Sequence, residues 1–216
     1  MWGIVEDNTI TKIINNPKAL VIGNTRHSRK IFELWSVSEL EAIGIYEVVF
    51  DNTNKKDEAY YTNTNQSFNF ADGAITASYG SATAKAHADT LYIQDDVNAD
   101  VYPEGHSRAG ERVNDFSVGD VKVEGLKTIK IRSIKSQAAS ELAKTDWYIV
   151  RKADAGTSVP SAITTHRAAV RTKCAEMETA VTNASNTAAI QTLYAYTADG
   201  DGGQSRPLGK LPTLEV

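Results

Sequence analysis

The sequence predicts an α+β fold: a small β-rich N-terminal domain with one short helix, followed by a C-terminal helical hairpin. Three observations lead there. Ile and Val number 32 against 10 Leu among 216 residues, and β-branched side chains suit the half-buried face of a strand. Short apolar runs punctuated by turn residues fill the first half. Two long segments of the second half place apolar residues at spacings of three and four. The expected division is 1–94 as the β-rich domain, 95–125 as a long loop or inserted hairpin, 126–196 as the helical hairpin and 197–216 as an extended tail.

The elements follow in order. Trp2-Gly3-Ile4-Val5 and Thr9 to Ile14 flank Glu6-Asp7-Asn8, a hairpin turn. Asn15-Asn16-Pro17 ends the second run, because Pro has no ladder donor. Ala19 to Ile22 is a third run, closed by Gly23-Asn24. Ser36-Val37-Ser38-Glu39 has the form of a capping box, with Gly44 as a stop, and predicts a helix of about two turns. Ile45 to Phe50, Tyr60-Tyr61, Phe68 to Phe70 and Ala74 to Tyr79 read as strands, with Ala71-Asp72-Gly73 as a second hairpin turn. The Ala-rich stretch from Ser81 to Ala88 reads as a helical turn.

Residues 95–125 are rich in Asp, Gly and Asn and poor in large apolar side chains. Leu126 to Ala143 is the first long helix, with Ile131, Ile134, Ala138 and Leu142 on one face. Thr145 to Tyr148 interrupts it, and Ile149 to Gly156 reads as a short extended stretch or turn. Ser158-Val159-Pro160 opens the second helix, with Ser158 as cap. Ile163, Arg167, Val170, Cys174, Met177 and Val181 then form a near-heptad seam broken by Arg167. Thr187 to Tyr196 predicts one more short helix, and Ala198 to Val216, with Gly and Pro, shows no helical or strand pattern.

Composition and motifs exclude several kinds of chemistry. With 23 basic and 27 acidic residues, a net charge of −4, there is no basic excess to hold nucleic acid. No apolar run has the length of a membrane span, so no membrane insertion is expected. Met1 to Asp7 lacks the basic start and apolar stretch of a secretory leader. The single cysteine, Cys174, excludes a disulfide scaffold and reads as a buried, inert thiol. His27, His87, His106 and His166 are scattered, with no zinc spacing among them. Gly203 to Gly209-Lys210 imitates a phosphate-binding loop, but Leu211 stands where a magnesium-binding hydroxyl belongs. Asp199-Gly200-Asp201-Gly202 opens like a calcium loop without its closing Glu. Asp95, Asp96 and Asp100 read as solvated surface. No catalytic residue, cofactor site or metal site is assigned, and the chain is expected not to be an enzyme.

Three segments carry a family resemblance. Met1-Trp2-Gly3-Ile4-Val5-Glu6 with Pro17-Lys18-Ala19-Leu20, and Ile31 to Ser36 leading to Leu40 to Tyr46, resemble the start of a group of small virion proteins of tailed phages. Thr145 to Lys152, with Val159-Pro160 and Arg167 to Arg171, is similar to the C-terminal helical region of phage tail-fibre and tail-fibre-assembly proteins. The resemblance covers about half of the chain in blocks and leaves out 95–125 and the segment after 197. It implies a non-enzymatic structural component of a virion, tail- or fibre-associated and acting in a symmetric homo-oligomer. The implied partners are other virion proteins and, at the tail, a host surface receptor. The implied location is the tail of the particle, with the host cytoplasm during assembly. Two alternatives accompany it. One is a tail-fibre assembly chaperone. The other is a receptor- or glycan-binding module using Tyr60, Tyr61, Phe68, Phe70 and Tyr79 as stacking platforms. The candidate interface residues are Ile131, Ile134, Leu142, Trp147, Ile163, Val170 and Met177.

Overall fold

The computed structural model describes residues 1–200 and 202–214. Asp201 of the Asp199-Gly200-Asp201-Gly202 run, and Glu215 and Val216 of the 197–216 segment, lie outside the described residues. The chain is a mixed α+β protein, with a half-barrel sheet in its N-terminal region and helices in its C-terminal part. It separates into two compact units, Met1–Ala84 and Lys85–Val216. The boundary thus falls ahead of the 94/95 division expected from composition, and residues 85–94 belong to the second unit.

The first unit is built on hairpins. Strands β1 (Trp2–Glu6) and β2 (Thr9–Ile14) pair antiparallel. Asp7 and Asn8 between them both take positive φ, 49° and 58°, as a two-residue type I′ turn requires. β3 (Leu20–Ile22) and β4 (Thr25–His27) form a separate small hairpin around Gly23-Asn24. Two helical turns follow, α1 (Ile31–Leu34) and α2 (Val37–Glu41). The capping box is formed: the Glu39 amide donates to Ser36 Oγ, and the Glu39 carboxylate accepts from the Ser36 amide at 2.8 Å. α1 is a second helical turn where one short helix was expected.

β5 (Ile45–Asp51), β6 (Tyr61–Thr62), β7 (Ser67–Ala71), β8 (Ala74–Ser78) and β9 (Thr83–Ala84) complete this unit. The main sheet runs β2-β1-β5-β8-β7. β5 and β8 are parallel and the other neighbours antiparallel. Its two edges, β2 and β7, approach within 8 Å between Cα atoms, so the sheet curls toward closure. Val5, Val48, Ile75 and Ala77 form one core, and Ile31, Leu40 and Ile45 form another beneath the helical turns. The register leaves no room at Gly3, where a Cβ would lie 2.4 Å from the Ile75 side chain. The Ser81–Ala88 stretch is not helical. Thr83–Ala84 pairs with Tyr61–Thr62, and the Gly80 amide is tied to Thr64 Oγ1 at 2.8 Å, which leads the chain in extended.

The second unit opens with an insert. β10 (Thr90–Leu91) and β11 (Val121–Val123) pair antiparallel at its base, and α3 (Gln94–Ala99) lies between them. The helices α4 (Leu126–Ala143), α5 (Asp146–Ala155), α6 (Ser161–Asn183) and α7 (Thr187–Tyr194) follow, then a small hairpin of β12 (Thr197–Ala198) and β13 (Gln204–Ser205). α4 and α6 pack antiparallel. Lys127 reaches the Thr182 carbonyl, Lys135 reaches Glu178, and Arg167 reaches the Leu142 carbonyl.

Three sequence expectations are corrected in this unit. Asp146 to Ala155 is a helix, because Gly156 at φ 67° closes it and donates its amide to the Lys152 carbonyl, while Asp146 faces the positive end of the helix dipole. The second long helix starts at Ser161 after Pro160, and Ser158 does not cap it. The 197–216 segment is not a loose tail: Leu208 is buried with Ile134, Met177 and Val181, and its amide donates to the Leu193 carbonyl at 3.0 Å. Gly and Pro signal chain reversal but give no sign of where a lone Leu docks.

Candidate contact surfaces

The seven candidate interface residues separate into two groups. Ile134 (1% exposed), Ile163, Val170 and Met177 are buried, and Ile131 and Leu142 are half-buried. The seam of α6 closes on α4 inside the chain: Ile134 and Met177 share one core cluster with Ile131 packed against it, and Ile163 and Val170 are buried as well. A spacing of three and four reports that a face is covered, not by which chain. Trp147 alone of the seven lies on the surface, at 51% exposure.

Arg167 does not spoil the seam. It is buried, and its Nη1 donates to the Leu142 carbonyl, Thr145 Oγ1 and Asp146 Oδ1 at 2.7, 2.7 and 2.8 Å. One guanidinium thereby adds a donor to a carbonyl at the end of α4, which the Thr145 amide also meets, and anchors the start of α5. Cys174, half-buried, donates its thiol to Glu178 Oε1 at 3.2 Å. Burial first, then that carboxylate, push its pKa upward, so the thiol is held in its less reactive form. His166 is buried as well.

α5 has no buried residue among its ten. Trp147, Ile149 and Val150 are exposed. The Trp147 and Tyr148 rings lie 3.8 Å apart between centroids, and the Arg151 guanidinium sits 4.8 Å from the Trp147 ring.

The insert is as exposed. No residue from 79 to 124 is buried. Its order comes from polar ties and stacks. Asp96 holds Lys122 and accepts from the Ile93 amide, and Asp100 holds Asn114 through its amide and side chain at 2.8 and 2.7 Å. Tyr92 stacks on Phe116 at 3.7 Å and Tyr102 on His106 at 4.4 Å, with Arg108 over Tyr102. The acidic cluster Asp95-Asp96-Asp100 is therefore in part structural. Meanwhile Leu91, Ile93, Val101, Val118, Val121 and Val123 are exposed. The insert's base is tied to α4, where Asp89 accepts from the Gly125 amide and Thr128 Oγ1 at 2.6 and 2.8 Å. These bonds lower the Asp89 pKa. The sequence signal for that cap, a lone Asp far upstream, is invisible to a local pattern.

The aromatic platforms do not share one surface. Tyr60 is buried, Phe68 and Phe70 pack against the first core, and Tyr61 and Tyr79 each lie under a lysine, Lys56 and Lys55. The Gly203–Lys210 segment forms no phosphate cradle: Leu208 is interior and Lys210 lies over the Tyr196 ring. Asp199 accepts from the Gly203 amide at 2.7 Å. Among the described residues no group of three His, Cys, Asp or Glu is placed to hold a metal ion, and no helix is long and apolar enough to cross a membrane.

The accessible surface is 14060 Å². A monomer of 23.5 kDa exposes about 9,800 Å², and scaling the two units separately gives about 11,700 Å². Comparison with protein-family models, curated proteins and solved structures finds no match.

Proposed function

We propose that this chain works by protein contact, as a structural component of a tailed-phage particle. In this reading it is associated with the tail or its fibres and assembles with copies of itself and with neighbouring virion proteins. The observation that carries the contact reading is the surface excess: more than about 2,000 Å² beyond what two free domains of this size expose, against about 800 Å² per partner in a standard interface. Exposed apolar side chains on α5 and on the insert belong to that surface. The virion assignment rests on the block resemblance of the N-terminal segments and of the Asp146-Trp147-Tyr148 region. Mass spectrometry of purified particles tests it: peptides of this chain at a fixed stoichiometry are expected, and their absence from mature particles overturns it.

A further inference from the structure

We infer that the β3–β4 hairpin and the α1 turn after it form a peripheral docking surface for an anionic lipid membrane. This surface does not depend on the virion reading above. Charge in the first unit is segregated. Residues 15–35 hold four basic side chains, Lys18, Arg26, Arg29 and Lys30, and one acidic, Glu33. The rest of residues 1–84 holds three basic and nine acidic. The balance is +3 against −6. All four bases are exposed. Glu33 is taken up by Arg29 at 2.9 Å, and the next acid, Glu39, is held in the Ser36 capping box. Lys18, Arg26 and Lys30 form no ion pair among the described residues.

The hairpin sets these bases beside apolar side chains. Leu20 and Ile22 pack on the core of Ile31, Leu40 and Ile45, so strand alternation turns Val21 outward. Val21 is 62% exposed and pairs in register with Arg26. Lys18 and Arg29 flank the open end of the hairpin, each two residues beyond the Leu20–His27 pair. There Trp35 meets His27 edge-on at 5.6 Å and stays part exposed. Leu34, 75% exposed, stands one helical turn from Lys30. A basic cluster and a few apolar side chains are each a weak membrane anchor alone, and they reinforce one another when they adjoin. Nucleic acid would engage the bases, but its phosphate backbone offers nothing to Val21 and Leu34. A wholly apolar protein partner would bury cations without counter-charges. The contact is peripheral, since among the described residues no helix is long and apolar enough to cross a membrane.

The test is co-sedimentation of the full chain with vesicles of phosphatidylcholine containing about one third phosphatidylglycerol, against vesicles of phosphatidylcholine alone. The parent is expected to bind the anionic vesicles, to bind the neutral ones far less, and to lose about tenfold or more in affinity between low salt and about 0.5 M salt. A charge variant, Lys18→Glu with Arg26→Glu, is expected to lose about tenfold or more. An apolar variant, Val21→Thr with Leu34→Gln, is expected to lose about threefold or more. A control, Lys55→Glu with Lys56→Glu, makes the same change in net charge outside the hairpin and is expected to bind as the parent does. All six positions are exposed, so circular dichroism is expected to match the parent. Should a pair lose that signal, the single substitutions Arg26→Glu and Leu34→Gln replace it. No binding to anionic vesicles, equal binding to neutral ones, or an equal loss in the control overturns the inference. So does an apolar variant that binds as the parent does, which would mark a general polyanion site, or a DNA duplex bound more tightly than the vesicles. None of these results touches the virion reading, and absence of the chain from particles leaves the membrane contact standing.

Discussion

The guanidinium of Arg167 lies 2.7 Å from the carbonyl oxygen of Leu142, 25 positions earlier in the chain. That carbonyl belongs to the last turn of α4 and also accepts from the Thr145 amide at 3.1 Å. The same Nη1 reaches Thr145 and Asp146, so one side chain sets where α4 stops and α5 departs. Arg167→Ala removes three hydrogen bonds and a buried side chain that tie α4 to α5 and is expected to destabilise the chain by roughly 1–3 kcal/mol. Urea unfolding followed by circular dichroism checks it. Arg167→Lys is expected to recover only part of the loss, since its ammonium keeps the charge but ends one bond short of the Nη1 position. A loss below about 0.5 kcal/mol for the Ala variant would mean that water replaces the guanidinium freely.

The helical seam gives a contrast between residues that looked alike in the sequence. Ile134→Ala and Met177→Ala remove interior side chains and are expected to cost about 2–5 kcal/mol each. Trp147→Ala, at an exposed position, is expected to change the stability of the monomeric chain by less than about 0.5 kcal/mol. Thermal unfolding at low protein concentration separates the two outcomes. Equal losses for Trp147 and Ile134 would contradict the assignment of interior and surface.

Leu208 tests whether the C-terminal segment is part of the fold. It closes the cluster of Ile134, Met177 and Val181. Leu208→Ala is expected to cost about 2–5 kcal/mol. Removal of residues 197–216 is expected to cost at least as much. Unfolding curves of both, with unchanged midpoints, would show that the segment adds nothing.

Acid sensitivity is expected to come from two capping carboxylates. Backbone hydrogen bonding to Ser36 lowers the Glu39 pKa from 4.5, and that to Gly125 lowers the Asp89 pKa from 3.8. Folding then favours the charged forms. Their contribution is complete above those ordinary values and is lost as pH falls through the depressed ones. Melting temperature is expected to drop below about pH 4, and Glu39→Gln and Asp89→Asn are expected to flatten that drop while lowering the plateau near neutrality. A parent and double variant with parallel pH profiles would refute the role of both caps.

Much of the fold was legible because its signals are local. Asp7-Asn8 and Asp72-Gly73 are turns wherever they stand, Ser36 and Glu39 cap each other across three residues, and a three-four spacing needs a covered face. The α+β class followed from these. α5 was missed because Ile149 and Val150 favour extended backbone, and its stop signal, Gly156, was read as part of a turn. The burial of the helical seam was not legible for a different reason. The apolar seam at Ile134, Val170 and Met177 resembles an interface in sequence, and only packing assigns it to the interior.

The amino-acid order by itself determined the hairpin turns, the Ser36–Glu39 cap and the two long helices α4 and α6. Tertiary structure decided which apolar faces the chain itself covers, that Arg167 and Asp89 tie down helix ends far away in sequence, and that the side chains of α5 and the insert lie exposed. The reason is physical: hydrogen-bonding and backbone preferences act between neighbours along the chain, while the burial of a side chain depends on partners that only the folded molecule brings near.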